Sequence, residues 1–346
     1  MPASRRLLTA CVAAVLIAGY SGLWFYAERR LEHAILSRIE DARRQGSEIR
    51  FSGISFHGFP FALAATADDV RVVRPDGLAW EAGRIAASAH PWSWRRVHVE
   101  LPRGQRLMLA GTPGMTATAE AGRGDLVIDG AGRMIGADLV LESVALALPG
   151  ATGIARTSRV TGRWAEREPD GGGSPIMTVG LAIDALSLPG PWLPALGQDI
   201  AHARLNLTVS GPLPSTVEAR EVAAWRDAGG LVAIDMLSLD WGPLSITGSG
   251  TFVLDSTLQP SGRLIADIRG FAETVDALVD AGIVESRPAT FAKAGLSLLA
   301  VPSEDGRGPV LTAPFAIENR QLALGPLPLG SLPEIAWPDR PPPLEE

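Results

Sequence analysis

The sequence predicts a mainly β protein. An N-terminal transmembrane helix is followed by antiparallel β-sheets, forming a curved groove or a sandwich-like body, with a few short helices. Three observations predict this. Residues 7–26 form an apolar run without a charge. From Glu48 onward, apolar residues recur with period two. The runs are short and separated by Pro and Gly turns, which favours antiparallel pairing over βαβ units.

The first element is Leu7–Tyr26, LLTACVAAVLIAGYSGLWFY. Its length suffices for a hydrocarbon core ~30 Å thick. Arg5 and Arg6 precede it, and Trp24, Phe25 and Tyr26 close it as an aromatic belt does. Gly19-Tyr20-Ser21 offers a loose cleavage site, but the apolar run continues past it, so an uncleaved anchor is expected. Cys11 stands in a lipobox-like run, Leu8-Thr9-Ala10-Cys11. Only Leu7 to Ala10 separate it from Arg6, against roughly 7–15 apolar residues in a working signal. It reads as a small residue inside the helix. As the single cysteine, it allows no internal disulfide.

Arg5 and Arg6 place residues 1–6 in the cytoplasm, while Arg29, Arg30, Arg38, Arg43 and Arg44 pull the other way. The segment comes first in the chain, and long domains translocate largely regardless of charge. The expectation is one pass through a bacterial inner membrane, with the main body periplasmic. Leu31, Ile35, Leu36 and Ile39 keep helical spacing. They predict a juxtamembrane helix over 27–46, stopped by Gly46.

The body divides into a first β-rich unit, 47–165, and a second, 176–338. Residues 166–175 lack any apolar side chain and read as a linker or long loop. The Pro-rich tail, 339–346, reads as disordered. Alternation is clearest at Val97–Leu101, Met177–Ile183 and Leu205–Val209. Leu244, Ile246, Phe252 and Leu254 share one face, with Gly248 and Gly250 between them. Turn chemistry falls at Pro75-Asp76-Gly77, Pro102-Arg103-Gly104, Pro113-Gly114 and Pro149-Gly150. Helices are expected over 217–228, 271–284 and 289–300. Three short helices can cover only part of a long apolar sheet face.

Around GISFHGFPFAL, residues 53–63, the apolar positions change parity near Gly53 and again near Gly58. A one-residue slip turns every side chain over, and a bulge does so locally, often at glycine. Pro60 cannot donate to a ladder, so the segment belongs at an edge or bend.

Several pieces, in order, carry a family resemblance. They are the apolar anchor, Gly58-Phe59-Pro60-Phe61, Trp225-Arg226-Asp227-Ala228-Gly229-Gly230, Trp241-Gly242-Pro243-Leu244 and Gly248-Ser249-Gly250-Thr251-Phe252-Val253-Leu254-Asp255. The chain resembles an uncharacterised bacterial envelope family, domain-of-unknown-function family 2125. More loosely, it looks like AsmA-type anchored β-groove proteins, which implies lipid movement or organisation between membranes. The closer family supplies no catalytic residues to carry over.

The net charge of −7 argues against a nucleic-acid partner, which needs a basic face. No HExxH, nucleophile elbow, P-loop or dinucleotide fingerprint occurs, and no metal site or cofactor is expected. Ser55 and His57 would share a strand face, and Asp68-Asp69 pair two acids. The plainer reading of each is a turn or solvated-face residue. No catalytic role is assigned, and the protein is not expected to be an enzyme.

The candidate lipid-binding or groove-lining residues are Phe56, Phe59, Phe61, Trp80, Trp92, Trp94, Leu244, Ile246, Phe252 and Leu254. Gly53, Gly58 and Pro60 mark the bend. Membrane lipids are the expected partners, and an envelope protein is the second partner class considered. Two functions compete. One is shielding of acyl chains on an apolar sheet face, worth roughly 0.8 kcal/mol per buried CH₂. The other is a non-catalytic scaffold of closed β-sandwiches. Periodicity does not separate them, because a strand face is equally apolar against lipid or another sheet.

Overall fold

The structure is a computed structural model. It describes residues 2–75, 77–109, 114–147, 153–167, 175–190, 196–214, 218–303, 308–325 and 327–337. Within these, the side chains of 2–17, 288, 292, 327 and 328 are outside the description. So are Asp76, Pro113, Pro149 and Gly150 of the expected turns, and the tail 339–346. The chain forms two compact units, Met1–Gly150 and Ala151–Glu346.

Unit 1 opens with α1, Pro2–Arg44, a single helix where the sequence predicts an anchor plus a juxtamembrane segment. It stops as expected. Gly46 has φ 87°, its N–H bonds Arg43 O at 3.0 Å, and Ser47 N–H bonds Ala42 O at 3.0 Å. Among the described residues, no helix is long and apolar enough to cross a membrane. The side chains of 7–17, on which the anchor expectation depends, lie outside that set.

Nine antiparallel strands follow: β1 (Glu48–Arg50), β2 (Gly53–His57), β3 (Leu63–Val73), β4 (Leu78–Ala89), β5 (Arg96–Leu101), β6 (Gln105–Leu109), β7 (Met115–Ala119), β8 (Ala121–Ile128) and β9 (Met134–Ala147). β3 pairs with β1 and β2 on one side and β4 on the other. β4 then divides between β5 and β6, and β9 gathers β7 and β8.

The first parity change has a definite origin. Ile49↔Val72↔Trp80 forms one row, and Ile54↔Ala67↔Ile85 another. Between them Asp69, at φ 50°, drops out of both ladders, opposite Ser52 and Gly83. Ser52 Oγ donates to Asp69 Oδ2 at 3.0 Å. Three strands take the extra step together, so the apolar side chains remain on one face. The second parity change is the β2–β3 turn itself. Gly58 has φ 112°, Ala62 N–H bonds Gly58 O at 2.9 Å, and the Phe59–Pro60 bond is cis. Pro60 thus lies in a turn, where no ladder N–H is required.

Unit 2 is a meander. Its strands are β10 (Ile154–Arg167), β11 (Ile176–Ser187), β12 (Asp199–Ser210), β13 (Leu231–Trp241), β14 (Leu244–Leu254), β15 (Pro260–Arg269), β16 (Val301–Pro302), β17 (Pro309–Glu318), β18 (Gln321–Leu324) and β19 (Leu327–Ser331). Glu166 and Arg167, the first two residues of the expected linker, belong instead to β10 and pair with Met177 and Ile176 in the β10–β11 hairpin. Residues 168–174 lie outside the description. The three helices fall near their expected places: α2 (Ala219–Asp227), α3 (Phe271–Asp280) and α4 (Ser286–Leu299). The Nζ of Lys293 joins α4 to Asp276 of α3 at 2.6 Å. Beneath these two helices lies a small core of Ile268, Phe271, Leu311 and Ala313.

Candidate functional site

Directly opposed residues in antiparallel strands share a face. In unit 2 this builds long apolar rows. One runs Val179–Leu207–Ile234–Gly250–Leu264–Phe315–Leu324, and the next Leu181–Leu205–Leu237–Gly248–Ala266–Ala313. A third runs Met177–Val209–Val232–Phe252–Gly262–Ile317. At ~4.8 Å per strand, the longest row spans about 29 Å. The opposite face carries exposed Arg204, Asn206, Ser249, Thr251, Arg263 and Asp267.

The apolar rows are not sealed. Leu181 is 41% exposed, and most of its row neighbours are half-buried. Ala266 and Ala313 are buried where the rows reach the α3–α4 core. Among the described residues, no large side chain is completely buried. A closed sandwich of this width would enclose its central leucines.

The expected groove residues separate into four groups. Phe252 and Leu254 are half-buried on the open part of the face. Leu244 and Ile246 pack instead against the α3–α4 core, so the chain's own helices already cover them. In unit 1, Phe56 lies in the row Phe56–Ala65–Ala87–Val99, and Trp80 in Trp80–Leu107–Ala117–Leu146. Both are half-buried. Phe59, Phe61, Trp92 and Trp94 line no sheet face. They are exposed on the β2–β3 and β4–β5 connections, because turns rather than strands carry them.

One polar group interrupts the unit 1 face. Gln105 is buried between Ala82 and Ala119, and its Nε2 has no hydrogen-bond partner among the described residues. An unmatched buried donor of this kind costs about 1–3 kcal/mol.

Among the described residues, several titratable groups meet in pairs across strands. Ser55 and His57 do share the exposed face of β2. Asp68 accepts from Arg84 Nε at 2.6 Å and Nη2 at 3.2 Å, and this pairing holds its carboxyl below the usual range. His98 meets Asp125 at 3.2 Å, and His202 meets Asp184 at 3.1 Å, each across one strand pair at the surface. No group of three or more His, Cys, Asp or Glu able to hold a metal occurs among the described residues. Beside α3, a cleft of about 520 Å³ is lined by Asp240, Ser245, Arg269 and Glu273.

Sequence reading missed a polar latch in unit 2. Buried Trp225 donates Nε1–H to Ser210 O at 3.0 Å and lies flat on Gly230. Arg226 donates to Asp255 O and Ser256 O, at 3.1 and 3.2 Å. Burial raises the Asp255 pKa, but hydrogen bonds from Gln259 and Thr257, with Arg226 nearby, bring it below its ordinary value. Gln259 clasps the backbone of Ile335, and Trp337 Nε1–H donates to Leu258 O at 2.8 Å. The Asp255-Ser256-Thr257 turn chemistry was the available signal.

No curated protein and no solved structure matches the chain. The looser likeness to AsmA-type proteins is therefore not shown. A family model does match, over residues 24–333, a span that includes the Gly-Phe-Pro-Phe turn, the Trp225-Arg226 and Asp255–Gln259 parts of the latch and the open rows of unit 2. The chain belongs to the DUF2125 family, described as uncharacterized proteins conserved in bacteria.

Proposed function

We infer that this protein is anchored in the bacterial inner membrane by residues 7–26 and shields lipid acyl chains on the apolar faces of a periplasmic β body. One observation carries the reading. Apolar rows up to seven strands wide have half-buried rather than enclosed leucines, and the fully covered part lies beneath α3 and α4. Half-exposed apolar surface of that extent gains by covering, at roughly 25 cal/mol per Å². Acyl chains supply such cover without any reacting group on the protein. Envelope lipid transport or organisation is the wider role that this reading proposes.

The test is mass spectrometry of lipids copurifying with the full chain in mild detergent. Phospholipid at one or more per chain, lost on exchange into a stripping detergent, supports the reading. A chain purified free of lipid and unchanged in stability by added lipid sinks it.

A second reading, a non-catalytic scaffold, has one observation in its favour. Phe291, Leu298 and Leu299 of α4 point outward and are exposed, opposite the stripe that packs on the core. Crosslinking from Phe291→Cys to a single envelope protein, with no lipid bound, would favour it.

A further inference from the structure

Unit 1 gathers aromatic side chains at one end. Trp24 of α1 is 4% exposed, donates Nε1–H to Ala62 O at 3.0 Å, and meets Phe59 edge-on at 5.3 Å. Phe25 stacks on Phe59 at 5.9 Å, and Tyr20 Oη–H donates to Pro60 O. The β2–β3 turn is thus clamped to the helix. His90 takes the Phe61 carbonyl as partner at 3.1 Å and stacks on Trp92 at 5.1 Å. The β4–β5 connection therefore joins the same group. Yet its tips stay bare: Phe61 is 69% and Trp92 68% exposed. Arg95 lies over the ring of Trp94 at 5.7 Å.

The helix says what covers these tips. From Trp24 onward α1 runs beside β1 and β3, and Gly46 reaches Pro75 just beyond the far end of β3. Before Trp24, α1 continues past the clamped turn. Leu7 to Trp24 covers 17 residue steps, ~26 Å at 1.5 Å each. That nearly matches a hydrocarbon core of ~30 Å. The bare aromatics therefore sit at the level where the apolar run ends, the depth at which Trp and Tyr concentrate in membranes. Isolated surface aromatics would not account for one connection being clamped to the helix and a second being fastened to the first at the same level.

We propose that the β2–β3 turn and the β4–β5 connection rest in the headgroup layer of the bilayer that α1 enters. Phe61, Trp92 and Trp94 insert at the level of the first acyl carbons, and Arg95 meets lipid phosphate. Unit 1 then stands on the membrane with β3 rising away from it. This rests on the anchored reading above, and the experiment separates the two.

The full chain, in a Cys11→Ala background, carries one cysteine at a time: Phe61→Cys, Trp92→Cys, or Glu48→Cys at the far end of β1. Both tip positions are exposed, so labelling leaves the fold intact. Each variant is labelled with an environment-sensitive fluorophore. It is reconstituted into phosphatidylethanolamine–phosphatidylglycerol vesicles carrying a nitroxide near the headgroup end of the acyl chain. The expected result is blue-shifted, strongly quenched emission at positions 61 and 92, and unquenched emission at 48, roughly 30–40 Å farther out along the strands. Unquenched labels at 61 and 92 in a carbonate-resistant chain overturn this proposal and leave the anchor standing. Release of the chain by carbonate overturns both.

Discussion

Truncating one leucine on the open face and one beneath the helices distinguishes a lipid-shielding sheet from a sealed one. Leu311 is 3% exposed and enclosed by Ile268, Phe271 and Ala313. Leu311→Ala removes buried methyls and leaves a cavity, a loss of about 2–5 kcal/mol. Leu205 sits between Leu181 and Leu237 at the middle of a row but is only half-buried. Full burial of a leucine is worth ~1.5–3 kcal/mol, so Leu205→Ala costs about 1 kcal/mol and leaves no closed void. In a unit of this size 1 kcal/mol shifts the midpoint by roughly 2–4 °C. Thermal unfolding of the detergent-solubilised chain, followed by tryptophan emission, should show a drop of roughly 5–15 °C for Leu311→Ala. For Leu205→Ala the drop should be about 2–4 °C, together with a lower copurified lipid content. Equal drops with unchanged lipid would refute the reasoning, because they would mean that protein alone encloses Leu205.

Four more expectations follow from the geometry. Gln105→Leu should raise the unfolding midpoint in stripping detergent, since it removes an unmatched buried donor worth about 1–3 kcal/mol; a fall would reveal a partner for Nε2. Trp225→Phe should cost about 1–2 kcal/mol in urea titration, because Ser210 O loses its donor; no change would mean that the latch is not a stabilising contact. The Asp255 pKa is lower in the folded chain than its ordinary value, so its contribution is present above about pH 4 and is lost as pH falls through the folded value. Asp255→Asn should accordingly flatten the acid limb of a stability–pH curve, and an unaltered limb would count against the Arg226–Asp255–Gln259 assignment. Ser55→Ala and His57→Ala should leave lipid content and envelope phenotype unchanged; loss of either with folding intact would reopen catalysis at β2.

Much of the fold was legible, and for physical reasons. Period-two alternation marked β11, β12 and β14, because one side of each strand meets water and the other does not. Gly46 and the Gly229-Gly230 pair ended their helices where expected. The parity change at Gly53 was visible, but its reach was not. Asp69 and Gly83 become its partners only through strand pairing, which a single sequence does not encode locally. Phe59, Phe61, Trp92 and Trp94 fall on connections rather than on a sheet face, and an aromatic residue in a turn and one on a strand look alike in composition. Leu244 and Ile246 were placed on the right face, but the helices that cover them lie farther along the chain. The Asp255 latch escaped because its partners, Arg226 and Ile335, are distant in sequence.

The unbroken helix has a mechanical consequence. Between Leu23 and Arg44 there is neither glycine nor proline, and one end of this stretch is riveted to the Gly-Phe-Pro-Phe turn while the other closes beside Pro75. That stretch, 21 residue steps or ~32 Å of helix, has no elbow with which to swivel. A single inserted residue after Tyr26 would twist everything beyond it by ~100°, pulling the rivets at Trp24 out of line with the strands that α1 runs beside. Any tilt imposed on the helix at Trp24 is therefore handed on, undamped, to the sheet edge it carries.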